Sequence, residues 1–189
     1  MDTYSIFVLI HLIGVAVGFG SALVGDYLFM ISLSDDHRID EKEFKILKAT
    51  GKLVWVGIVI LISSGFMLFY MSDFAPLAQA RVLAKMTLVG IVIVNGLLFH
   101  LVHLPFLKDY FKNTTLPKTT SKIKSRFSFI FISGAISMVS WFSIIILASW
   151  RTLPYSYNTI ISFYILIVFI VSMIALLLKK CELPNLSKK

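Results

Sequence analysis

Read as apolar and polar positions, the chain falls into five long apolar runs separated by short polar breaks. The runs cover residues 4–33, 53–71, 82–107, 127–150 and 158–178. Each, wound as a helix, is long enough to cross roughly 30 Å of hydrocarbon. A backbone in lipid must satisfy its own hydrogen bonds, so runs of this length predict helices rather than open strands. The pattern therefore predicts an all-α fold, a polytopic bundle of five transmembrane helices forming one domain over residues 1–189. The first break, from Ser34 through Asp35, Asp36, His37 and Arg38 to Lys45, reads as a charged loop running into an amphipathic turn.

Composition strengthens this picture. Hydrophobic residues make up 58% of the chain, against roughly 45–50% in soluble domains, and the mean hydropathy is +0.87. The net charge is +8, but the cations sit between the apolar runs and form no continuous basic face. They read as topology signals rather than a nucleic-acid footprint. Of the 18 lysines and arginines, only Arg81, Lys85 and Arg151 fall on one side of a five-span topology. The positive-inside rule then places the N-terminus outside and the C-terminus in the cytoplasm, in a bacterial cytoplasmic membrane. The single cysteine, Cys181, excludes an intrachain disulfide. The sequence has no phosphate-binding glycine loop, no HExxH pair and no Ser-His-Asp signature. The first residues lack the basic region of a signal peptide, so the first helix is expected to be retained.

Candidate chemistry begins on the first run. At about 100° per residue, His11, Gly14, Gly18, Ala22 and Gly25 share one stripe. Small residues admit a neighbouring helix or a flat cofactor, and an ionisable group on that stripe points into the bundle. Helix rise places His11 about 9–10 Å and Lys85 about 5 Å below the outer surface. Ser63, Ser64 and Gly65 reach the depth of His11 from the second helix, so His11, Ser64, Gly65 and Lys85 can form one outer site. Asp26, Asn95, His100 and His103 belong to a lower level, His100 at about 25 Å and Asp26 at about 30 Å. That depth difference forbids His11 and His100 from sharing one iron.

Each candidate has two readings. His11 is a haem or copper ligand or a proton relay, or simply a hydrogen-bonding group between helices. Gly14-x-x-x-Gly18 lines a crevice or packs a helix. Lys85 ligates iron, pairs with a propionate or holds an anion, or else snorkels to the surface. Arg81 and Arg151 are interface anchors, with Arg81 also placed for a propionate. His100 and His103, three residues apart, bind a metal or relay protons with Asp26, or sit as interfacial histidines in contact with water. His37 reads as solvated, and Cys181 supports no chemical role. Trp55, Trp141 and Trp150 read as packing or aromatic-belt residues.

The segment His11-Leu-Ile-Gly14 opening the first span, with Ala84-Lys85-Met86 opening the third and a later histidine, His100, resembles the HemJ-type protoporphyrinogen oxidases. It is also similar to the membrane domain of CopD-type copper-resistance proteins. The resemblance implies a small helical bundle binding haem b, with His11 and Lys85 as ligands or essential site residues. Three functions follow as expectations. The first is a haem-binding membrane redox protein in which Gly14, Gly18 and Gly65 make room for the macrocycle. Electrons then pass to a quinone or a partner protein, and Asp26, His100 and His103 supply protons. The second is transport of a metal such as copper, or of a small ion, with the two polar levels as stations. The third is a non-catalytic membrane subunit whose polar residues only pack helices and bind a partner protein, with a homo-oligomer as a further expected assembly.

Overall fold

The computed structural model describes residues 2–34, 41–75, 79–112, 121–150 and 154–182. The chain forms α1 (Thr3–Ser34), α2 (Glu41–Met71), α3 (Ala80–Leu98), a π-helical turn (Phe99–His103), α4 (Leu104–Lys112), α5 (Ser121–Ser149) and α6 (Tyr157–Glu182). Helix α3, the π turn and α4 are continuous, giving five helices long and apolar enough to cross a membrane. Among the described residues there are no strands.

The helices are longer than the apolar runs alone predict. Helix α2 begins at Glu41, twelve residues before the expected 53, because charged residues outside the hydrocarbon still favour helix. Acidic Glu41 and Glu43 occupy its first turn, and Lys45 pairs with Glu41 at 3.0 Å one turn on. Helix α5 likewise starts at Ser121 rather than at 127. His37 and Arg151 lie outside the described residues, as does the side chain of Cys181.

Helix α1 packs along α2, and α5 joins α3 to α6. The α1–α2 contact is glycine on glycine. A Cβ on Gly57 would collide with the backbone of Gly18 and the carbonyl of Gly14, and one on Gly14 would lie 2.8 Å from the Leu61 nitrogen. Only hydrogen side chains let these backbones approach so closely. Two apolar cores result. One gathers Ile58, Leu61, Ala84, Leu88, Val92, Val139, Trp141, Ile144, Leu147 and Tyr164. The other, towards the α1–α2 connection, gathers Leu47, Leu104, Leu107, Tyr110, Phe127, Ile130 and Phe131.

One polar tie reinforces most helix pairs. Asn95 Nδ2 donates to the Ser133 carbonyl (3.1 Å) while the Ser133 hydroxyl donates to Asn95 Oδ1 (2.6 Å), locking α3 to α5. Ser140 meets the Tyr164 hydroxyl at 2.9 Å, and Thr87 meets that of Tyr157 at 3.1 Å, holding α6. Such ties are worth about 0.6 kcal/mol each in lipid, so they set register more than stability.

Candidate functional site

The ionisable residues inside the bundle fall on two levels, as helix rise predicts. At the first, His11 Nδ1 lies 3.0 Å from Ser64 Oγ. The Ser64 hydroxyl is spent on the Ile60 carbonyl at 2.6 Å, so the imidazole donates from Nδ1 and keeps its lone pair at Nε2. Lys85 is half-buried and near enough to feel the His11 ring and the Arg81 guanidinium, with no carboxylate partner among the described residues. Arg81 is committed elsewhere: Nη1 donates to the Trp150 carbonyl and Nε to Gln79 Oε1, each at 2.8 Å. It ties the start of α3 to the end of α5.

The stripe of small residues does face the bundle, since Gly14, Gly18 and Gly25 are all buried. It is nevertheless full. Gly14 lies on the backbone of α2, and a Cβ on Gly18 would meet the Trp141 ring at 2.6 Å. Gly65 accommodates the imidazole itself, its Cβ position being 3.3 Å from His11 Cε1. The expectation that Gly14, Gly18 and Gly65 make room for a macrocycle is therefore corrected. Helix α2 and Trp141 occupy that space, and a tetrapyrrole does not fit between α1 and α2 at His11.

About 20 Å further along α2 by helix rise, between the two apolar cores, lies a cavity of about 260 Å³. Asp26, Asn95, His100 and His103 all line it, together with Thr50, Ser133 and Trp141. His100 thus belongs to a different level from His11. Ser21 and Ser137 add two hydroxyls, the rest of the wall is apolar or aromatic, including Phe29, Trp55, Phe99 and Phe131, and among the described residues no lysine or arginine lines it.

Local sequence explains how the histidines arrive there. Pro105 has no N–H to give the carbonyl four residues back, and its ring crowds that carbonyl. The helix relaxes by widening just ahead of it into the π turn Phe99–His103, closed by the Leu104 N–H on the Phe99 carbonyl. Both histidines sit on this turn. His100 lies against α2 because residue 51 is glycine; a Cβ there would be 2.9 Å from its Cε1. The Trp55 indole N–H donates to His100 Nδ1 at 3.4 Å. His103 is 2% exposed and packs against the Phe129 ring at 5.0 Å. The reading of His103 as a water-facing interfacial residue is overturned by that burial.

Three buried polar atoms on the cavity residues have no hydrogen-bond partner among the described residues: Asp26 Oδ2, His103 Nε2 and Trp141 Nε1. Gly134 on α5 stands beside Asp26, 3.9 Å from either carboxyl oxygen even with a Cβ added, and offers it no polar group. An unsatisfied buried polar atom costs about 1–3 kcal/mol, and folded proteins carry few of them. All three belong to residues that line the one cavity. Spacing along α1 and α3 gathers Asp26, His100 and His103. Trp141, Gly51 and Pro105 give no such signal on their own helices, although a proline directly after a His-x-x-His pair is a recognisable cause of a π turn.

Among the described residues no group of three His, Cys, Asp or Glu side chains is placed to hold a metal ion. No protein-family model matches this chain, and no curated protein or solved structure shows significant similarity to it.

Proposed function

We propose that this chain is an integral membrane protein that binds the head group of a quinone or quinol in the cavity between its two cores. Asp26, His103 and Trp141 meet the ring's oxygens, and His100 and Asp26 exchange its protons with the nearer membrane surface. What supports this reading is one cavity walled by aromatic and apolar side chains together with Asp26, Asn95, His100 and His103, three of whose lining residues, Asp26, His103 and Trp141, carry a buried polar atom without a partner.

The chemistry narrows the ligand. Among the described residues no lysine or arginine lines the cavity, so a phosphate or carboxylate head group would find no cation in direct contact with it. A volume of about 260 Å³ lies below the roughly 300–1,000 Å³ of ordinary cofactor pockets, so it takes one ring rather than a tetrapyrrole. A neutral ring with oxygens at its edge and flat faces suits aromatic walls. Quinone chemistry couples electrons to protons, and carboxyl and imidazole groups are the side chains that move protons. The electrons come from a partner redox protein. The cation asymmetry supports a cytoplasmic position for this cavity in a bacterial inner membrane. Transport between the two levels is the weaker reading, since Trp141, Leu88 and Ile58 pack the region separating them.

The test uses full-length protein in lipid nanodiscs titrated with a tail-less dimethoxy-methyl-benzoquinone, a quencher of tryptophan fluorescence. Trp55 and Trp141 line the cavity, so quenching is expected to saturate. Asp26→Leu and His103→Leu are each expected to weaken binding about tenfold, the worth of one well-made buried hydrogen bond. Unsaturable quenching that is identical in the variants overturns the reading.

A further inference from the structure

The cavity has a wall that is also the outside of the bundle. Met30 on α1 and Ile174 and Leu178 on α6 line it, yet they are 44%, 50% and 46% exposed. Helix α1 rests on α2 and α6 rests on α5, with few direct contacts between α1 and α6 themselves. Asp26 lies one helical turn from Met30 on the same side of α1, so the polar part of the cavity and its apolar edge are continuous. In a membrane-embedded bundle the medium beyond that edge is lipid.

We propose that the α1–α6 seam is a lateral portal, and that the site takes a prenylated quinone whose ring enters from the bilayer and whose tail stays in the seam. This rests on the head-group reading above and adds where the ligand comes from and what it must carry. The ring occupies the Asp26–His103 cavity, and the chain lies against Met30, Ile174 and Leu178. Ala175, whose methyl is the smallest side chain contributed by α6 to the cavity lining, leaves the passage wide where a larger residue would close it. A ligand arriving from water would have no use for an apolar edge. One arriving from lipid needs it, because its tail has to stay in hydrocarbon while the ring is bound.

The experiment is photolabelling of the full chain in neutral phosphatidylcholine nanodiscs with a decyl-tailed benzoquinone carrying a diazirine at the tail end. Peptide mapping is expected to find label on residues 27–31 and 171–178. Excess untagged decyl-quinone and the Asp26→Leu change are each expected to lower it about tenfold. Met30→Trp, a substitution at a lipid-exposed position, narrows the seam. It is expected to reduce labelling by the decyl-tailed quinone. Label spread evenly over all lipid-facing helices, or label in the seam that ignores Asp26→Leu, overturns the portal even where saturable quenching persists. Loss of saturable quenching in the unaltered protein instead overturns the head-group reading itself.

Discussion

The His11 level and the Asp26 level both place ionisable side chains inside an apolar bundle, and they treat them in opposite ways. At the first, the imidazole is given a partner in Ser64, glycines bring the helices into contact, and Trp141 fills what remains. At the second, Asp26, His103 and Trp141 keep buried atoms without partners, and a cavity is left beside them. A polar group that only holds helices together is expected to be satisfied, because every unmade hydrogen bond in an apolar medium costs stability. The difference teaches that the more conspicuous histidine is the partnered one, and that the unsatisfied groups gather where the proposed ligand site lies.

Trp141 belongs to both regions and gives the largest test of the contrast. It fills the space against Gly18 and at the same time walls the cavity. Trp141→Ala is expected to cost about 3 kcal/mol or more, as for other large buried aromatics, read by unfolding in mixed micelles. It should also merge the cavity with the His11 level. If stability is unaffected, that region is not packed as described.

The glycine contact comes next in size. Gly57→Ala sets a methyl into the backbone of Gly18 and is expected to destabilise by about 2–3 kcal/mol, with loss of monodisperse protein in detergent. Gly20 has open space beside it. Gly20→Ala is therefore expected to stabilise by about 0.5–1 kcal/mol through helix propensity alone. Equal effects at the two positions would mean that α1 and α2 do not meet through this stripe.

What the sequence made legible follows the same division. Five spans were readable because lipid demands long uninterrupted apolar runs, and the inward direction of Gly14, Gly18 and Gly25 was readable from their period. Helix α2 between Glu41 and Lys52 was not, since hydropathy reports lipid contact and says little of helix beyond it. The occupant of the glycine stripe was hidden too. Periodicity on α1 names a face, but the residue that fills it, Trp141, lies more than a hundred positions away on α5. Depth arithmetic grouped Asp26, Asn95, His100 and His103 because rise per residue is fixed. It could not show that a cavity lies there, or that residue 51 must be glycine to admit His100.

The third test exploits the unpartnered atoms directly. Removing a carboxyl whose Oδ2 is buried without a partner relieves a desolvation cost, so Asp26→Leu is expected to raise stability by about 1 kcal/mol while weakening quinone binding. Opposite signs on stability and binding are the mark of a residue kept for function. A variant that loses both in equal measure would place Asp26 among the structural groups.

The smallest effect belongs to the satisfied level. His11 and Ser64 form one hydrogen bond between α1 and α2, and such bonds in lipid average about 0.6 kcal/mol in double-mutant cycles. His11→Ala, Ser64→Ala and the double variant, unfolded in the same mixed micelles, are expected to give a coupling of that order. Quenching by the tail-less quinone should stay unchanged, because the ring binds about 20 Å away along α2. Should His11→Ala abolish quinone binding with the protein still folded, the two levels are coupled. The outer imidazole would then be part of the working site, and the division drawn between satisfied and unsatisfied levels would no longer separate structure from function.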